Sequence, residues 1–226
     1  KTPNLLPIEK VFAISWQGSV GASGYNIERT ESLDGPWEQI GFNVSDANVQ
    51  YVPLFNDTTA EIDASYFYRI EAINASGVSP KSNIVGPVLV TEKALIDEMG
   101  NFMELYSFHK VKIDKGFDRK FKEDTERIIG ENGSEISYYV SGKITSIKIF
   151  SFEKNGLNGL ELLTSKSGEE FNFVEVQVTG DELDEGDYGY WNPVLYEVTN
   201  IKSENSFLKI KFKNTAQVGR VLIGYN

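Results

Sequence analysis

The sequence contains no cysteine, which excludes disulfides, thiolate metal sites and a cysteine nucleophile. Cysteine-free chains suit the bacterial cytosol and Gram-positive secretion alike, so this absence does not set the compartment. Histidine is nearly missing as well: His109 is the only one among 226 residues. It has neither a Cys partner nor a second His, so Cys–His pairs and multi-His metal sites lack their parts. His109 reads instead as a polar residue at a strand end. No run of about 18 apolar residues occurs, so nothing reads as a membrane-spanning helix. Gly-rich phosphate loops, internal repeats and low-complexity tracts are also missing. Helical periodicity is almost absent, and what recurs are short alternating runs separated by Gly, Asn, Asp and Ser.

Positive charge is in deficit, with a formal net charge of −11. Residues 1–90 carry five Lys/Arg against ten Asp/Glu, and residues 91–226 carry seventeen against twenty-three. Both parts are therefore acidic, which excludes electrostatic capture of nucleic acid or an anionic membrane and leaves neutral partners or cations. The opening Lys1-Thr2-Pro3-Asn4-Leu5-Leu6-Pro7 does not read as a secretory signal, because two prolines interrupt a very short apolar stretch. A first residue of Lys reads as a piece of a longer protein.

What is present is β-structure. In Tyr66-Phe67-Tyr68-Arg69-Ile70-Glu71-Ala72, alternate residues Tyr66, Tyr68, Ile70 and Ala72 fall on one face, as a half-buried strand requires. A Tyr opening such a strand can fill the core with its ring and send its hydroxyl back across the corner. Phe12-Ala13-Ile14-Ser15-Trp16 repeats the alternation, and Asp34-Gly35-Pro36 signals a turn. Strands are expected near 10–16, 24–30, 37–43, 48–52, 59–63, 65–74 and 82–90, with both Trp residues of this part in its core. The run from Ile84 to Lys93 marks a boundary, giving domains 1–90 and 91–226. Its Gly86-Pro87 pair before an apolar strand makes a short joint rather than a flexible tether. Beyond it, strands are expected at 134–140, 144–150, 160–164, 173–178, 188–198, 207–212 and 220–225, about eight counting the strand near Leu95. That suits a jelly roll.

Trp16, Tyr25-Asn26-Ile27-Glu28-Arg29, Asp34-Gly35-Pro36-Trp37, the Tyr66 strand and the Asn74-Ala75-Ser76-Gly77 turn resemble a fibronectin type III domain. Leu95-Ile96-Asp97-Glu98, Tyr106-Ser107, Ser134 to Val140, the Trp191 strand and Leu208 to Phe212 resemble the β-sandwich modules of secreted bacterial glycoside hydrolases. The pair is similar to the C-terminal region of mannanase-like members of the (β/α)8-barrel glycoside hydrolase clan. The resemblance implies an all-β chain: an immunoglobulin-like sandwich followed by a jelly-roll, galactose-binding-like sandwich. It further implies a non-catalytic accessory region, secreted or on the bacterial cell surface and monomeric. Its partners would be a polysaccharide or oligosaccharide, β-mannan favoured, and the catalytic domain of the parent enzyme. Alternatives are a pure spacer or an adhesin fragment binding a protein.

Sugar binding needs flat rings that stack on C–H faces, with hydrogen-bonding groups around them. Tyr188, Tyr190 and Trp191 with Asn192 offer three rings beside an amide, and Phe117 and Arg119 form a candidate opposing wall. Trp191 also fits the first buried residue of a strand. Tyr138 and Tyr139 must point to opposite faces, one to the core and one to the surface. Jelly-roll carbohydrate modules often carry a structural Ca²⁺, which takes six to eight hard oxygens. Asp97, Glu98 and Glu104 are the candidate ligands, and the acidic run Asp181 to Asp187, which lacks EF-hand spacing, is another. Adjacent carboxylates such as Asp97 and Glu98 point to opposite sides of a strand and make no glycosidase pair by themselves.

Overall fold

The computed structural model describes residues 1–47, 52–115, 126–154, 156–180 and 191–226, and among these the regular structure is strand alone. The chain is all-β. It divides into two compact units, Lys1–Lys93 and Ala94–Asn226.

The first unit holds β1 (Asn4–Leu5), β2 (Trp16–Gln17), β3 (Gly24–Thr30), β4 (Glu38–Val44), β5 (Ser65–Asn74), β6 (Gly77–Val78) and β7 (Val85–Leu89). β1 pairs with β2, and a second sheet runs β4-β3-β5-β6 with β7 also on β5. Along β5 the side chains alternate as read: Tyr66, Tyr68, Ile70 and Ala72 are buried. They meet Ile14, Trp16, Tyr25 and Ile27 in the core, where the Trp16 and Tyr25 rings lie 5.0 Å apart. The hydroxyl that anchors this strand most closely belongs to Tyr68, which donates to Asp57 Oδ2 at 2.9 Å. Tyr66 Oη only accepts a long bond, 3.5 Å, from the Glu61 N–H. Arg29 completes the buried polar cluster. One guanidinium nitrogen donates to both Asp57 oxygens and to Thr59, the other to Glu38, and the group lies 4.4 Å from the Tyr66 ring centroid.

On the opposite face of this sheet, Glu28 accepts from Arg69 and Lys81, Glu71 accepts from Lys81 and Asn26, and Arg69 stacks 3.9 Å above Trp37. Trp37 is thus half-buried under a cation on the outer face, not a core residue like Trp16. A guanidinium that must satisfy Glu28 can cover an indole on the same face, which alternation alone does not reveal.

β8 (Lys93–Asp97) leads into the second unit. There follow β9 (Ser107–His109), β10 (Lys112–Lys115), β11 (Glu126–Gly130), β12 (Glu135–Tyr139), β13 (Ile144–Glu153), β14 (Leu160–Ser165), β15 (Asn172–Phe173), β16 (Gln177–Gly180), β17 (Asn192–Val198), β18 (Phe207–Phe212) and β19 (Ala216–Tyr225). One sheet is ordered β10-β11-β19-β13-β17-β16, with β8 also on β19; the other is β15-β14-β18-β12-β9. Their facing sides interdigitate: Ile136, Tyr138, Leu160, Leu162, Leu208 and Ile210 from the five-stranded sheet meet Ile147, Ile149, Tyr196, Val218, Val221 and Ile223 from the other in one core. This is a β-sandwich.

The expected strand 173–178 divides. Phe173 pairs with Leu163 in one sheet, whereas Val178 pairs with Tyr196 in the other. The chain crosses between the layers there, so one apolar run serves two sheets. The last strand begins at Ala216 rather than Arg220, and its register with β13 slips between Phe150 and Ser151. A bulge of this kind keeps Val218 and Val221 on the core side although their sequence spacing is odd.

Candidate functional site

The outer face of the five-stranded sheet carries the most conspicuous unburied chemistry. In β18 Leu208, Ile210 and Phe212 face the core, so Phe207, Lys209 and Lys211 point outward. In β12 Ile136 and Tyr138 face inward, sending Glu135, Ser137 and Tyr139 the same way. Register then sets Tyr139 opposite Phe207, Ser137 opposite Lys209 and Glu135 opposite Lys211. The Tyr106 N–H donates to the Ser137 carbonyl at 2.8 Å, which fixes a third aromatic residue beside this pair.

The three rings form a triangle. Centroids are 4.9 Å apart for Tyr139 and Phe207, 5.2 Å for Tyr106 and Phe207 and 6.3 Å for Tyr106 and Tyr139. The Tyr106–Phe207 contact is edge-on, and aromatic pairs at these separations contribute about 0.5–1.5 kcal/mol beyond their buried area. Mutual packing therefore holds the rings in place although Tyr106 is 64% and Tyr139 48% exposed. Around them lie hydrogen-bonding groups: the exposed Ser107 hydroxyl, held 2.6 Å from the buried Ser137 Oγ, and Lys209, whose Nζ is 3.4 Å from Glu135 Oε1 and 4.4 Å from the Phe171 centroid. Clustered exposed rings are unlike the single scattered apolar residues of an ordinary surface. The face offers aromatic surface, its rings tilted 42–77° to one another, bordered by a hydroxyl, an amine and a carboxylate.

The residues named from sequence distribute differently. Tyr188, Tyr190, Phe117 and Arg119, and the acidic run Asp181–Asp187, lie outside the described residues. Trp191 is half-buried, and Lys154 Nζ stands 4.9 Å from its ring centroid. Asn192 opens β17 in the seven-stranded sheet, opposite Glu153. Trp191 and Asn192 thus belong to the layer that does not carry the triangle. Glu153 is buried and accepts from Tyr196 Oη at 2.6 Å, the Gly159 N–H at 2.7 Å and Ser151 Oγ at 3.2 Å.

Of the carboxylates considered for calcium, Asp97 is buried and accepts from the Met99 N–H at 2.9 Å and from Tyr138 Oη at 3.1 Å. Burial raises its pKa, and the charges of Glu104 and Glu98 add to the rise against these two hydrogen bonds. Burial likewise pushes the Tyr138 hydroxyl far up, so it stays a donor. Glu98 pairs with the buried guanidinium of Arg220, and Glu104 is exposed. Among the described residues no group of three or more His, Cys, Asp or Glu is gathered to hold a metal.

Sequence reasoning placed one of Tyr138 and Tyr139 at the surface, and Tyr139 is the exposed one. It did not join Tyr139 to Tyr106 and Phe207. The available signal was parity: once Leu208, Ile210 and Phe212 are read as inward, Phe207 shares the outer face with Lys209 and Lys211.

No family model matches the chain. It is 30% identical over 102 residues to an amylopullulanase of Thermoanaerobacterium thermosulfurigenes, an alignment covering 45% of this chain and 5% of that protein's length. Among solved structures, a family 6 carbohydrate-binding module is similar at 14% identity and a TM-score of 0.36, over 58% of this chain and 94% of the other. A structure of CBM51-2 with GlcNAc and INT domains from Clostridium perfringens ZmpB is similar at 11% identity and a TM-score of 0.29, over 73% of this chain and 38% of the other. The chicken interferon gamma receptor alpha chain is similar at 13% identity and a TM-score of 0.29, over 93% and 82%.

Proposed function

We propose that this chain is a non-catalytic, glycan-binding accessory region of a secreted polysaccharide-degrading enzyme. The observation that carries the reading is the triangle of exposed Tyr106 and Tyr139 with half-buried Phe207, bordered by Ser107 and Lys209. Flat sugar faces stack on such rings while their hydroxyls meet the polar border. A shallow platform of this kind supports modest affinity. Tethered to a catalytic domain, even weak capture raises the local substrate concentration. The amylopullulanase match fits an enzyme that acts on polysaccharide. In this reading the first unit is a fibronectin type III-like spacer, and β-mannan remains the favoured glycan on the family resemblance.

The test is calorimetric titration of the full chain with oligosaccharides of mannan, galactomannan, xylan, cellulose and pullulan. Binding to at least one is expected, weakened about tenfold or more by Tyr106→Ala and by Tyr139→Ala, with Trp191→Ala having a smaller effect. Silence across the panel would leave the chain a spacer and overturn the proposal.

A further inference from the structure

Resting on that reading, we infer that the triangle holds a single sugar unit at a terminus of a glycan, at a chain end or on a side branch, rather than a run of units within a chain. Three features converge. First, the rings are grouped, not aligned. The longest side of the triangle is 6.3 Å between centroids, so the rings form one compact group and trace no line across the sheet. A platform for an internal segment needs rings set out along the chain direction. Second, the floor is closed on one side. The turn after β14 brings Gly168 against Phe207: a methyl group at Gly168 would lie 3.1–3.3 Å from three atoms of that ring. This turn is pinned by the Gly168 N–H to Ser165 Oγ at 3.0 Å and by the Ser206 N–H to the Ser165 carbonyl at 3.0 Å. Gly168 itself has φ +83, a conformation that glycine adopts without the strain other residues would bear. Beyond it, Phe171 stands against the Lys209 ammonium. Third, the opposite side is open. Tyr106 is 64% exposed and precedes β9, the edge strand of the sheet. One unit can therefore enter over β9, stop against the Gly168 turn, and send its single glycosidic linkage back out past Tyr106. A unit linked on both sides would drive its second neighbour into that turn.

The experiment titrates the full chain with methyl glycosides and with oligosaccharides of two to six units from whichever glycan binds. Affinity per molecule is expected to stay within about threefold beyond the disaccharide. A rise of about tenfold or more between two and six units overturns the inference while leaving glycan binding intact. Two polymer arms separate the sources. If chain ends are bound, sites per milligram rise in step with ends after partial hydrolysis of the backbone. If side branches are bound, sites fall after enzymatic debranching and do not follow backbone cleavage. Sites that track polymer mass in both arms overturn the inference. Tyr106→Ala removes an exposed ring and is expected to weaken binding about tenfold or more in either arm, with the chain still folded by circular dichroism. Absence of binding to every glycan overturns this inference together with the function on which it rests.

Discussion

Tyr196→Phe is the most exacting test of how the second unit is held together. The ring sits in the core between the two sheets, and substitution keeps it while deleting one oxygen. That oxygen donates to Glu153 Oε1 at 2.6 Å and accepts the Leu160 N–H at 3.1 Å. Burial, and then the neighbouring carboxylate, push its pKa far above the usual phenol value, so it remains a donor throughout any working pH range. A hydrogen bond to a carboxylate in such surroundings contributes about 1.5–3 kcal/mol, and an orphaned buried N–H costs about 1 kcal/mol or more. Glu153 keeps the Gly159 N–H and Ser151, so it is not stranded. The expected loss is about 3 kcal/mol, which lowers the protection of slowly exchanging amides roughly 100-fold. Hydrogen exchange read by mass spectrometry on fragments from β13 and β17 measures this directly, with β3 and β5 of the first unit as the internal reference. A change below about twofold in β13 and β17 would refute the view that this hydroxyl is a principal tie of the core.

Three further outcomes follow from the same reasoning. Asp57→Ala strands the buried Arg29 guanidinium and the Tyr68 hydroxyl together. It should cost the first unit about 3–5 kcal/mol, seen as a lowered calorimetric transition, whereas Glu38→Ala, losing the exposed arm of the same cluster, should cost under about 1 kcal/mol. Gly159→Ala would place its methyl 2.8 Å from the Glu153 carboxyl group. Overpacking there should destabilise the second unit by about 1–3 kcal/mol, measured by chemical denaturation. Acidification should act oppositely on the two units. Desolvation raises the pKa of Glu28 and Glu71, but hydrogen bonds led by those from Lys81 outweigh it and hold both below the ordinary 4.5. Their contribution is present above that value and lost as pH falls through the lowered folded values. Asp97, raised above its ordinary 3.8 chiefly by burial, contributes stability that is full below 3.8 and lost as pH rises through its raised folded value. The deficit of Asp97→Asn relative to the parent chain should therefore widen on acidification, while the first unit's transition falls. A pH-independent deficit would contradict the assignment.

The fold class was readable because alternation is a local property. The period of two in Tyr66 to Ala72 and in Leu208 to Phe212 follows from the pleat, and both strands bury the residues expected. Most of the elements that escaped are short or shared, although the five-residue β11 also lay outside the expected strands and residues 59–63, expected as a strand, form none. β9, β10 and β16 have three or four residues each, too few for a period to stand out from the turns around them. β15 and β16 lie in one apolar run, yet the chain between them passes from one sheet to the other. No pattern within that run announces the crossing: Phe173 is exposed on one sheet while Val176 and Val178 pack against the core.

The candidate site was less legible than the fold for a topological reason. Aromatic density in the sequence drew attention to Tyr188, Tyr190 and Trp191, which are neighbours along the chain. Tyr106, Tyr139 and Phe207 become neighbours only through the pairing of β12 with β18 and the bond from Tyr106 to Ser137. Parity could assign each ring to an outer face, but parity says nothing about which strands adjoin or in what register. In a sandwich whose strand order departs from chain order, that information resides in long-range pairing. A one-residue slip of β12 against β18 would set Tyr138 rather than Tyr139 opposite Phe207, and a buried ring cannot share an exposed face with it. The platform thus exists only in the register that also buries Tyr138, Leu208 and Ile210. Packing of the core and display of the rings are consequences of one and the same alignment.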